Sequence, residues 1–306
     1  MNKKHRIALI LAVVLLMYGC KDNVRETGKN NINIDSENSE TAEKKIPKNS
    51  QDLINYLNKE IQNLDKEKAE ELIFDLEDVL SENLSVATNI VMQKDIQNYL
   101  LENYDNMLIK RDAISNISDD KIKTEIKKIY DSGYIIQKVG NNYMPIINYG
   151  IFLTFCDELD EPYKSYFEIK NDDLTRPVLA SGKLLSEPEQ ILEKLNNIEK
   201  FIKKNPSFTG NSDFLVRYQS WLYLILNGTP LDPIVNQDGK LDDRYQIMLD
   251  KAVDKKTITD TAVSKAFKIL QKNSYQFDDK VNASIRSIVK NNTEYLRAIS
   301  SKEEEN

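Results

Sequence analysis

Between Leu53 and Ile299 apolar residues return every three or four positions, a period that commits most of the chain to amphipathic helices. Ser50 is placed to cap the first, in which Leu53, Ile54, Leu57, Ile61 and Leu64 share a face. Asp65 is placed to cap a second, with Ala69, Leu72, Ile73, Leu76, Val79 and Leu80 on one side and an acidic face opposite. A third stretch runs from about Ser85 to Lys110 and carries Ile90, Ile96, Leu100, Tyr104 and Met107. Ser118 opens a shorter helix through Ile122, Ile126 and Ile129, and Gly133 supplies its stop. The pattern returns over Ile151–Leu159 and, after Pro162, in Tyr163, Tyr166, Phe167 and Ile169. Asp172–Gly182 reads as a loop bent at Pro177. Glu187–Lys204 is a helix with Ile191, Leu195, Ile198 and Ile202 in register, ended at Pro206. Asn211 or Ser212 then caps FLVRYQSWLYLIL, which is apolar nearly all round and so belongs at the centre of the fold. After an irregular stretch with Gly228, Pro230, Pro233 and Gly239, helices are expected over Asp243–Val253, Thr259–Gln271 and Asp279–Ile299.

One segment breaks the period. In YIIQKVGNNYMPIINY, Tyr134 to Tyr149, two β-rich runs flank Gly140-Asn141-Asn142, a turn signal. Pro145 donates no ladder hydrogen bond and marks an edge position. A lone hairpin is marginal in water, so neighbouring helices must cover this one. The expected fold is therefore all-α and bundle-like, with one small β-hairpin near residues 134–148. The body spans 51–299, as one domain or two closely packed helical halves divided near 172–186. A short acidic tail, 300–306, follows it.

The first fifty residues have a different character. Lys3, Lys4 and Arg6 precede an unbroken apolar run from Ile7 to Met17, then Tyr18-Gly19-Cys20. This is the layout of a secretory signal peptide, residues 1–19, and the run is about half the ~20 residues a membrane-spanning helix needs. The ending resembles the lipobox of bacterial lipoproteins. Gly19 and Cys20 match that pattern, while Met17 and Tyr18 replace the Leu and the small residue usual there. The resemblance implies cleavage before Cys20, diacylglycerol on its sulfur, and a location on the outer side of a bacterial cell membrane. Two acyl chains anchor stably. Lys21–Ser50 is polar and charge-balanced, so it is read as a disordered tether with a reach of about 30 Å. The block Gly133–Tyr149, a glycine-aromatic hairpin followed by Pro-Ile-Ile and an aromatic, is similar to one in uncharacterised helical lipoproteins of Gram-positive-type bacteria. That likeness implies no activity.

Composition removes several chemistries. His5 is the only histidine and lies in the leader, so a processed chain has none. Ser-His-Asp and Cys-His units, and histidine-based metal sites, are then out of reach. Cys156 becomes the sole thiol once Cys20 is lipidated, so no internal disulfide forms. Its apolar and acidic flanks favour a buried, inert thiol. The formal charge is −7, and loss of Lys3, Lys4 and Arg6 leaves −10. Such a chain is not expected to bind nucleic acid. Asn236-Gln237-Asp238-Gly239 resembles the middle of a calcium loop, but Ile234 and Tyr245 stand where its first and last ligands belong, so it reads as a plain turn. No metal or cofactor site is expected, and no catalytic residues are assigned.

Three functions fit what remains. The first is a non-enzymatic binding module, anchored through lipid on Cys20, for a protein partner in the envelope. The second is a small-ligand or glycan receptor using the tyrosines around the hairpin, Tyr134, Tyr143 and Tyr149. The third is a wall hydrolase working through Asp157, Glu158, Asp160 and Glu161. For those tyrosines the simpler reading is packing with hydroxyls at the rim, and for Trp221 a place in the core.

Overall fold

The computed structural model describes residues 49–254 and 256–301. The leader, Cys20, the tether to residue 48 and the tail beyond 301 lie outside the described residues. The described chain is mostly helical with a small antiparallel sheet. Helices α1 (Ser50–Glu60), α2 (Lys66–Val91), α3 (Lys94–Asn103) and α4 (Asp120–Asp131) pack around strands β1 (Leu108–Ile109), β2 (Tyr134–Val139) and β3 (Asn142–Ile147). The short α5 (Gly150–Leu153) leads to α6 (Glu161–Thr175) and a second hairpin, β4 (Leu179–Ala180) with β5 (Lys183–Leu184). Then come α7 (Pro188–Lys204), α8 (Asn211–Asn227), α9 (Asp243–Ala252), α10 (Ile258–Lys272) and α11 (Asp279–Ser300). Among the described residues no helix is long and apolar enough to cross a membrane.

Caps set the helix starts. Asn49, one residue before the expected Ser50, accepts the Asp52 amide at α1. Asp65 accepts the Lys68 amide at α2, as its sequence position predicts. Asp119 takes the role expected of Ser118, accepting the Ile122 amide. Glu187 and Gln190 form a reciprocal capping box at α7. Gly210 precedes the first turn of α8 in place of a side-chain cap. It sits so close to Tyr166 that a Cβ there would lie 2.5 Å from the ring.

The second and third expected helices divide differently. α2 runs unbroken through Ser81-Glu82-Asn83 to Val91. That stretch holds no Gly or Pro to break it, and the Ser81, Asn83 and Thr88 side chains donate back to the carbonyls of Glu77, Val79 and Leu84 within the helix. The break falls at Gln93, whose ψ of 137 leaves the helical region. The chain then leaves α3 at Tyr104, and Leu108–Ile109 pair with Gln137 and Ile136 as a third strand too short to signal itself.

The expected hairpin forms in register, Tyr134 opposite Ile147 and Val139 opposite Asn142. Gly140, at φ 62, takes the first turn position. Pro145 lies on β3, an edge strand. That edge is covered by α2 and α3, and the buried Gln97 amide stands in for a further strand. It donates to the Tyr143 carbonyl at 2.7 Å and accepts the Tyr143 amide at 3.0 Å. The segment expected as a loop after Asp172 is instead the end of α6 plus the β4–β5 hairpin. Ser181 (φ 51) and Gly182 (φ 79) make its two-residue turn, both positive as a type I′ turn requires.

The apolar residues form one continuous core. α8 lies at its centre in the C-terminal part, with α7 and α11 packed on it. Trp221 is 4% exposed, as its apolar setting predicts.

Candidate functional site

Charged residues on the inward faces of three helices build the most unusual feature of this interior. Glu77 falls on the apolar stripe of α2 between Ile73 and Leu80, and Lys170 on that of α6 beyond Tyr166 and Phe167. Both are buried, Lys170 to 2% exposure. The Lys170 ammonium donates to Glu77 and, at 2.7 Å, to Asp213 in the first turn of α8. The Tyr149 hydroxyl donates to Glu77 at 2.9 Å, and that of Tyr166 lies 3.2 Å from both Glu77 and Asp213. Two ring faces complete the enclosure, with Lys170 Nζ 5.0 Å from the Tyr149 centroid and 4.5 Å from that of Tyr166.

A second group adjoins it across α6, α7 and α8. Arg217 and Lys194 converge on Asp173, and Lys194 and Arg176 on Asp172. The Lys194 and Arg217 cations stand 5.9 and 5.6 Å from the Trp221 ring. Aromatic side chains line the flank: Phe74 of α2 contacts Tyr163, Tyr166 and Phe208, and Tyr166 meets Phe214 of α8. The arrangement ties α2, α6, α7 and α8 together where the hairpin half meets the C-terminal helices.

Its chemistry is that of held charge. Burial disfavours the Lys170 cation, but Tyr149, Glu77, Tyr166 and Asp213 outweigh it and keep the ammonium well above the ordinary lysine range. It stays protonated and offers no nucleophilic amine. Burial pushes the Tyr149 and Tyr166 hydroxyls far above the usual tyrosine range, so both remain proton donors. Asp172 is pushed up by burial and pulled further down by Lys194 and Arg176, ending below the usual carboxylate range.

Of the three tyrosines picked out by sequence, Tyr149 joins this cluster. Tyr134 and Tyr143 do not. Tyr134 is 2% exposed and donates to the Leu80 carbonyl at 2.7 Å, with burial raising its hydroxyl to about 12. Tyr143 is fully buried and its hydroxyl reaches the carbonyls of Tyr104 (3.0 Å) and Asn106. As placed, these two rings pack and present no face to solvent. Beyond Tyr143, a surface hollow of about 440 Å³ is lined by Tyr104, Asn106, Leu108, Ile109, Lys110 and Asp112, among others.

Asp160 pairs with Lys66 at 2.6 Å, and its amide donates to Glu70. With Glu161 it stands at the start of α6, where the helix dipole favours acids. Asp157 and Glu158 belong to a separate single turn, Cys156–Glu158. Cys156 is buried, and burial raises its thiol to about 11. At the calcium-like segment, Asn236 Oδ1 accepts the amides of Asp238 and Lys240, a self-contained turn. Among the described residues no His, Cys, Asp and Glu side chains gather as a metal site.

The Glu77–Lys170–Asp213 group has no signature in the sequence, because its members are 93 and 43 residues apart and form no local motif. The one available signal was register, an ionisable residue on an apolar stripe in each of two helices. No protein-family model, no curated protein and no solved structure matches this chain.

Proposed function

We propose that the chain is exported, processed and lipidated at Cys20, and held at the outer side of the bacterial cell membrane, where its helical body is a non-enzymatic binding module for an envelope protein. The observation that carries this reading is the run from Lys3 to Cys20, a basic start, an apolar run and Gly-Cys, set ahead of some thirty polar residues. The body supports it in one respect. Its buried ionic groups are engaged with one another, so a partner would meet the outer surface of a built scaffold.

In-cell crosslinking of the tagged chain, with Cys20→Ala as control and mass spectrometry as readout, tests the reading. The same protein partners should be recovered in repeated experiments and be lost with Cys20→Ala. Retention of only glycan or a small molecule would replace it with the receptor reading. Partners indifferent to Cys20 would contradict the anchored module.

A further inference from the structure

The charge of this acidic chain is unevenly placed. Residues 50–107 hold four Lys and Arg against thirteen Asp and Glu, whereas 251–301 hold ten against five. Helical register sorts the basic residues outward. In α10, Ala262, Val263, Ala266, Phe267 and Leu270 face the core, and Lys265, Lys268 and Lys272 are exposed. In α11, Val281, Ile285, Ile288, Val289 and Leu296 face the core, and Arg286, Lys290 and Arg297 are exposed. The two helices pack on each other, and both pack on α7 and α8, so their free faces turn away from that pair.

Lys290 lies 3.7 Å from Glu294, and the other five cations form no ion pair with a described residue. Lys203, at the end of α7, stands 6.0 Å from the ring of Tyr295, which is half exposed on α11. Lys272 and Arg297 suit helix C-termini in any protein. Lys265, Arg286 and Lys290 are well inside their helices, where the dipole gives no reason for them.

We propose that this α10–α11 face docks the body on an anionic phospholipid bilayer. The attraction is charge complementarity, and it acts within a Debye length of about 8–10 Å, so only side chains on the facing surface contribute. The inference rests on the anchored reading above. With the anchor at Cys20, only some thirty residues separate the body from the headgroups, and at the effective concentration this gives a modest basic face suffices to orient it. Nucleic acid is the other polyanion such a face could meet. The bilayer is favoured because the proposed anchor holds the face beside one.

The test uses the chain from residue 20 onward with Cys20→Ser, which keeps every described residue and carries no lipid. It is floated with vesicles of phosphatidylcholine alone, or with about 30% phosphatidylglycerol. Binding should require the anionic lipid and vanish in about 0.5 M salt. Lys265→Glu/Lys268→Glu/Lys272→Glu should lower partitioning at least about tenfold. Lys59→Glu/Lys94→Glu/Lys110→Glu, the same charge change on exposed sites elsewhere, should stay within about twofold. Circular dichroism of each variant checks that it is folded. Indifference to anionic lipid, equal loss in both triple variants, or tighter binding to duplex DNA than to the vesicles would overturn the proposal. Because no lipid is attached here, failure speaks against the face alone, and the anchor is judged separately by the state of Cys20 in cells.

Discussion

At Lys170 a full positive charge is held at 2% exposure, and its partners rather than its own chemistry make that tolerable. Removing one member of a buried pair strands the other, which costs about 3–5 kcal/mol. Lys170→Met should therefore destabilise the body by about that amount in urea unfolding. Adding Glu77→Gln should recover a large part of the loss, because the stranded carboxylate goes with it. Equal losses in the single and double variants would show that the pair is not coupled. Sequence could locate Tyr149 beside the hairpin but not its partner, since Glu77 lies 72 residues away. Tyr134 and Tyr143 show the opposite case. Packing stood beside the receptor reading for both rings in the sequence, and both are buried. Which carbonyls receive their hydroxyls depends on α2 and on the chain after α3, and no local pattern encodes that.

At the scale of elements, helices meet through their ends as much as their faces. Glu199 of α7 is 1% exposed and takes the first turn of α10. It accepts the amides of Ile258 and Thr259 at 3.0 Å and the Thr259 hydroxyl at 2.6 Å, with Lys203 beside it. Burial alone would raise this carboxyl. Lys203, the Thr259 hydroxyl and the two amides together hold it below its ordinary value. A carboxyl lowered in the folded state contributes stability that is present above its unfolded pKa, about 4.3, and is lost as pH falls through the folded value. Glu199→Gln should cost about 1.5–3 kcal/mol at neutral pH, and the gap to wild type should narrow as urea unfolding is repeated below about pH 4. A gap that widens in acid would refute the assignment. Most helices were legible because their stripes are long and regular. Their boundaries were less so, because Ser81-Glu82-Asn83 interrupts the apolar stripe without ending α2. The β4–β5 hairpin escaped because two-residue strands have no period to read.

For the whole molecule, net charge proved a poor guide to surface. A value of −7 suggests a uniformly acidic body, yet the negative charge concentrates in 50–107 and a basic face lies on α10 and α11. Composition fixes the total, and only helical register places each residue inside or outside. The helical class and the covered hairpin followed from periodicity, while the residues that meet where the two halves join, Glu77, Lys170 and Asp213 among the apolar and aromatic contacts, are too far apart in the chain to form a pattern. The account stands on the claim that Cys20 anchors this body. The direct test is the intact mass of the protein extracted from cell membranes, beside a Cys20→Ala variant. A chain beginning at Cys20 and carrying diacylglycerol, absent from the variant, is the predicted result. A chain that retains residues 1–19 with no lipid on Cys20 would contradict it.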